Sequence, residues 1–184
     1  MRVIAGTARS MPLKTIKGLE TRPTTDKTKE TLFNILQADV PDCRFLDLFS
    51  GSGAIAIEAL SRGAAYAVLV EQNGKAAQCI QENLVFTRLA DRAEVQKCEV
   101  LTALRRMEGQ KPFDIIFLDP PYDQEAEQGV LSYLADSTLA DLYTVIVVEA
   151  SLETDFSWLE EMGYHVYKYK KYKTSQHVFL QKKG

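Results

Sequence analysis

Short apolar runs alternate with stretches of helical spacing along most of the chain. Residues 2–5 and 12–16 read as two short strands around the turn Gly6-Thr7-Ala8-Arg9-Ser10, a hairpin pattern. A loop follows at Thr21-Arg22-Pro23-Thr24-Thr25, and Asp26 is placed to cap a helix over 27–38, with Leu32, Phe33, Ile35 and Leu36 on one face. Pro41 and Asp42 end it. From residue 44 the rhythm is regular: strand 44–49, helix 54–62 closed by Gly63, strand 66–70, helix 75–87, strand 93–97, helix 100–107, strand 113–118, helix 124–134 and strand 142–148. Such alternation predicts an α/β fold with a mainly parallel sheet covered on both faces. The tail departs from it. A helix over 155–161 precedes two adjacent strands, 164–172 and 175–181, which predict an antiparallel hairpin closing the sheet edge.

Composition narrows the class. At 184 residues and 46% hydrophobic, the chain suits one domain spanning 1–184, with residues 1–25 as an extension. No run approaches the 18 apolar residues of a membrane span, and the start MRVIAGTARSMPLK lacks the apolar core of a secretory signal. Cys43, Cys79 and Cys98 show no CxxC spacing, and His165 and His177 stand apart, so neither a disulfide framework nor a metal site is expected. A cytoplasmic, metal-free protein is the expectation.

Charge adds a second feature. The net charge is −3, yet residues 1–29 carry +5 and residues 164–184 carry +6, leaving −14 on the body between them. Two basic ends on an acidic body can present a local phosphate-binding face, or be ordinary solvated termini. Tyr164, Tyr167, Tyr169 and Tyr172 among the C-terminal lysines suit either a strand or stacking on bases.

Two motifs carry chemistry. Asp47-Leu48-Phe49-Ser50-Gly51-Ser52-Gly53 joins the first parallel strand to its helix, where glycines admit a ligand close to the backbone and the helix N-terminus offers free N–H groups. Glu71, 18 residues after Gly53, ends the next strand, where a carboxylate can accept hydrogen bonds from a ribose diol. Gly51 to Ala56 also satisfies a dinucleotide pattern. Asp47 argues against it, since a carboxylate suits the α-ammonium of S-adenosylmethionine and repels a pyrophosphate. Glu99, after the third strand, is placed either to bond an adenine amino group or to cap the following helix, and Cys98 beside it either packs on adenine or is simply a small buried residue.

The second motif is Asp119-Pro120-Pro121-Tyr122, after the apolar strand 113–118 and so at the sheet edge where ligands bind in open α/β folds. Two prolines lock the loop. An exocyclic base amine is a poor nucleophile because its lone pair is delocalised. The Asp119 carboxylate and the Pro120 carbonyl can accept both amine hydrogens, favouring a pyramidal nitrogen, while Tyr122 stacks on the base.

DLFSGSGAIAIEALSRGA (47–64), Glu71, DPPY (119–122), TRPTTDKTKETLFNIL (21–36) and the opening MRVIAGTARSMPL together resemble the RsmD family of bacterial 16S rRNA guanine-N2 methyltransferases across essentially the whole chain. The resemblance implies a class I Rossmann-like fold with a seven-stranded sheet, and S-adenosylmethionine held by Asp47, Phe49, Ser50, Gly51, Gly53, Glu71, Gln72 and Glu99. It implies catalysis at Asp119, Pro120, Pro121 and Tyr122, and rRNA of the small ribosomal subunit, or an assembly intermediate, against Arg2, Arg9, Arg22, Thr24 and Lys27. The chain departs from the family where Glu99 replaces the usual Asp and Lys173 replaces a glycine. Two other functions share these motifs: DNA adenine-N6 methylation, which calls for a further sequence-reading domain, and non-catalytic RNA binding on a retained fold.

Overall fold

A computed structural model describes residues 1–18, 24–122 and 125–184. Five strands run parallel: β1 (Arg44–Leu48), β2 (Tyr66–Val70), β3 (Ala93–Gln96), β4 (Ile115–Leu118) and β5 (Val145–Ser151). Two more, β6 (Tyr164–Lys171) and β7 (Ser175–Lys182), complete a seven-stranded sheet ordered β3-β2-β1-β4-β5-β7-β6. β7 pairs antiparallel with both β5 and β6, so it sits inside the sheet and β6 forms the edge. The chain winds outward from β1 to β3, then returns to place β4 on β1's other side. The gap between β1 and β4 is therefore the topological switch point, where open α/β sheets bind ligands.

Burial follows the apolar runs. Ile115, Ile116, Phe117 and Leu118 are all buried, as a central parallel strand covered on both faces requires. One layer of the core joins the β1, β4 and β5 side chains to α1 (Asp26–Ile35), α2 (Ala54–Ser61) and α3 (Gly74–Phe86); the other joins the opposite face to α4 (Val100–Met107) and α5 (Ala126–Asp136). α4 shows why periodicity predicts it: Val100, Ala103, Leu104 and Met107 form its buried stripe.

The predicted elements are found, β4 starting at Ile115 and β5 running on to Ser151, and four differences have an identifiable cause. The N-terminal hairpin is reduced to one bridge, Arg2 to Pro12, because residues 6–10 turn away to dock on α2. Thr25, not Asp26, caps α1; its Oγ1 accepts the Thr28 N–H at 3.1 Å, and the helix ends at Ile35. β5 starts three residues later than expected, because Thr144 donates to the Phe113 carbonyl and Asp141 caps a turn that leaves Leu142 and Tyr143 exposed. The helix expected over 155–161 is a single 3-10 turn, Ser157–Leu159, where the Asp155 carboxylate accepts from the Ser157 N–H and hydroxyl.

Candidate active site

β1 delivers its chain into a turn with alternate residues in the left-handed region: Phe49 (φ 63°), Gly51 (φ 56°) and Gly53 (φ 81°). The two glycines do different work. A Cβ on Gly53 would stand 3.1 Å from Leu69 Cδ2 and 3.3 Å from Ile80, so at φ 81° a larger residue would be strained and would push these side chains by a few tenths of an ångström. Around Gly51 the space is open, so its backbone meets the cleft with no side chain in the way. A non-glycine residue held at positive φ stores roughly 1–3 kcal/mol, and Phe49 lines that cleft. The Ser50 N–H to Val70 O bond and the Gly53 N–H to Ser50 O bond hold the turn.

The cleft lies over the carboxyl ends of β1, β2, β3 and β4 and has a volume of about 520 Å³, within the roughly 300–1,000 Å³ of small-molecule sites. Four carboxylates line it, one from each strand end: Asp47, Glu71, Glu99 and Asp119. No lysine or arginine does, among the described residues. Asp47 is 2% exposed and accepts the Ala56 N–H; burial pushes its carboxyl up to about 8, with the Glu71 charge adding to the shift. Glu71 accepts from Gly51 N–H at 2.9 Å and Asn73 N–H at 2.8 Å, which aims its carboxylate and ties the glycine turn to β2. Glu99 is the N-cap of α4, accepting from Leu101 and Thr102 N–H; those bonds lower its pKa. Its helix-capping role is thus present, at the cleft wall. Gln72 and Ser50 line the cleft as well.

This donor set decides which cofactors fit. A dinucleotide brings a pyrophosphate and meets four carboxylates, with no basic side chain among the described residues to balance it. S-adenosylmethionine brings an ammonium, a sulfonium and a ribose diol, which carboxylates accept. The cleft fits the second.

At the other end of the cleft, β4 runs into Asp119, Pro120, Pro121 and Tyr122, all at the wall. Asp119 accepts no hydrogen bond from any described residue. Burial first, then the charges of Glu149 and Asp47, raise its carboxyl well above the ordinary range. Behind it stands a chain that periodicity had not singled out: His177 Nε2 bonds Glu149 Oε2 at 3.1 Å and Tyr172 Oη meets His177 Nδ1 at 3.0 Å. The signal available for Glu149 was its place, the first carboxylate after the apolar run VIVV of β5, as Asp119 is after IIFL of β4.

The residues expected to face RNA do not cluster as one group. Thr24 lines the cleft, and Arg2 pairs with Asp26 at the start of α1, one residue from Lys27. Arg9 belongs to the turn docked on Ser61, at the far end of α2. Arg22 lies outside the described residues. Lys29, counted in the basic N-terminal segment, is fully buried, 3.3 Å from Glu58, and donates to the Arg2 carbonyl. Among the described residues no group of three or more His, Cys, Asp or Glu could hold a metal ion, and no helix is long and apolar enough to cross a membrane.

Known proteins place this arrangement. The family described as Conserved hypothetical protein 95 matches residues 1–181. Ribosomal RNA small subunit methyltransferase D of Escherichia coli (strain K12) is 36% identical over 155 residues, 83% of this chain and 76% of its own. The solved Escherichia coli protein yhhF superposes with a TM-score of 0.84 at 32% identity, covering 100% of this chain and 98% of its own. An O-methyltransferase from Bacillus cereus, solved in complex with SAH, shares the fold alone, with a TM-score of 0.73 at 16% identity over 89% of this chain and 84% of its own. The chain belongs to the Conserved hypothetical protein 95 family, the RsmD family that its motifs resemble, and has the Rossmann-like methyltransferase fold.

Proposed function

We propose that this chain transfers a methyl group from S-adenosylmethionine to the exocyclic N2 amine of a guanine in 16S rRNA. The observation that carries the reading is a switch-point cleft walled by four carboxylates, with no basic side chain among the described residues, that ends at the DPPY loop. Relatives named for ribosomal RNA small subunit methylation support the substrate.

The cofactor supplies an electrophilic methyl on a sulfonium. Asp47 receives the ammonium, Glu71 the ribose hydroxyls, and the backbone of Ser50, Gly51 and Gly53 lets the ligand lie close. Phe49, with Gln72 at the rim, flanks the nucleoside, and Glu99 offers its remaining lone pairs to the adenine amino group. At the acceptor end, the Asp119 carboxylate and the Pro120 carbonyl accept hydrogen bonds from the two amine hydrogens, Pro121 stiffens the loop, and Tyr122 packs on the base. As the N–CH3 bond forms the S–CH3 bond breaks, S-adenosylhomocysteine leaves, and the surplus amine proton passes to water. Alignment of the amine with the methyl is the main source of acceleration, where effective molarity contributes roughly 7–11 kcal/mol. The partner is the small ribosomal subunit or an assembly intermediate in the cytoplasm. Residues 1–184 act as one methyltransferase domain, with Arg2, Thr24 and Lys27 meeting RNA at the cleft mouth.

The test is mass spectrometry of 16S rRNA from wild-type and deletion strains, followed by methyl transfer in vitro to free 16S rRNA and to 30S particles from the deletion strain. One N2-methylguanosine absent from the deletion strain and restored in vitro is expected. Identical methylation in both strains would sink the reading.

A further inference from the structure

Glu149 lies within β5, two residues before its end, beside the point where β4 gives way to Asp119. Leu118 pairs with Val148 in the parallel register, so Asp119 and Glu149 occupy the next positions on neighbouring segments, near enough for the Glu149 charge to raise the Asp119 carboxyl. His177 pairs with Glu149 across β5 and β7 and is fully buried. Its ring meets Phe117 at 6.0 Å and Phe179 at 6.4 Å, both edge-on, which fixes its plane. The Glu149–His177 bond has two possible proton placements. With Glu149 ionised, the His177 Nε2–H donates to Oε2; with Glu149 protonated, Oε2–H donates to Nε2. In both, the other oxygen, Oε1, is an acceptor. Oε1 has no hydrogen-bond partner among the described residues, and the Glu149 side chain keeps 7% of its exposure.

An acceptor one strand away from Asp119 has a specific use. Among bases with an exocyclic amine, only guanine carries a ring N–H beside it, at N1 next to N2. Adenine presents the N1 lone pair beside its amine, and cytosine the N3 lone pair, and either would face an oxygen lone pair of Glu149. We propose that Glu149 Oε1 accepts the guanine N1–H and so selects guanine over adenine and cytosine, with His177 and Tyr172 as positioning residues that hold its carboxylate. The assignment rests on the reading of Asp119 as the amine acceptor.

The experiment uses the full chain and 2-aminopurine, which has the N2 amine of guanine but a lone pair at N1. Once mass spectrometry has located the methylated guanosine, two RNAs are made, with guanosine or 2-aminopurine at that position. The wild type is expected to prefer guanosine by about 100-fold or more in kcat/KM, as sites built to bond a substrate N–H reject analogues that lack it. Glu149→Met, similar in volume without the acceptor, and His177→Leu are expected to bring the two rates together chiefly by slowing guanosine. Their S-adenosylmethionine affinity and thermal melting report that the fold is intact, and the wild-type ratio needs no variant at all. Equal wild-type rates on the two RNAs, or an unchanged ratio in a folded Glu149→Met, would overturn the inference and leave the proposed function standing. Absence of wild-type transfer to guanosine RNA would overturn both.

Discussion

Asp47 and Asp119 are carboxylates that the fold withdraws from water and sets near one another, and burial raises both. For Asp47, about 8 when folded against 3.8 otherwise, the sign is clear: its contribution to stability is whole below about pH 4 and is lost as pH rises through about 8. A cation bound beside it favours the ionised form. Cofactor binding below pH 8 should therefore release a proton, and affinity should weaken on acidification by up to about tenfold per pH unit. Calorimetry in buffers of differing ionisation enthalpy reads this directly, and Asp47→Asn should abolish the proton release. Asp119→Ala should cut methyl transfer by more than about 1,000-fold, beyond the usual loss of a single transition-state hydrogen bond, while cofactor affinity stays nearly unchanged. Near-normal turnover in that variant would refute the assigned mechanism. Glu71→Ala should act the other way, on cofactor affinity, since Glu71 also holds the Gly51 turn.

At the level of elements, the N-terminal segment is tied to α2 by polar groups rather than to the sheet by strand pairing. Glu58 on α2 accepts from the Ile4 and Ala5 N–H groups and from Arg62, and lies 3.3 Å from the Lys29 ammonium. Removing Lys29 takes away the fully buried cation and leaves Glu58 with Arg62 and two backbone N–H groups, a loss below the roughly 3–5 kcal/mol of a buried pair left wholly uncompensated. Lys29→Met should thus lower the urea midpoint markedly, whereas Lys27→Met, on an exposed position two residues away, should not. Gly6 is the other tie: a Cβ there would stand 1.8 Å from the Ser61 carbonyl oxygen, at φ +86°. Gly6→Ala should release the 6–10 turn, seen as faster amide exchange at Thr7 and Ala8. Elements with strong periodicity were legible: β2 and α4 begin and end where their patterns do. Those decided by side-chain caps were not. The Asp155 turn replaces a helix, and the Thr144 anchor delays β5, because each depends on an oxygen finding one nearby backbone group.

Across the whole molecule, a net charge of −3 and an RNA substrate are compatible only if cations gather where RNA lies. Arg2 and Lys27 stand at the start of α1 beside the cleft, and Arg9 in the turn docked against the far end of α2. Arg2→Ala and Lys27→Ala should each flatten the slope of log affinity against log salt by about 0.7–0.9, and Arg9→Ala should not; filter binding to a 16S rRNA fragment at several salt concentrations checks this, and an equal effect from all three would place RNA across a wider face. The amino-acid sequence alone determined the α/β alternation, the antiparallel tail, the glycine turn and the DPPY loop, since each is written in a contiguous stretch whose local spacing dictates its form. Only the tertiary structure decided what meets across that stretch. Lys29 leaves the basic N-terminal segment to pair with Glu58, and His177 reaches Glu149 because β7 inserts between β5 and β6. The physical reason is the same in both: a charge pair buried between distant segments depends on strand order and on desolvation, and neither is written in the spacing of any one segment.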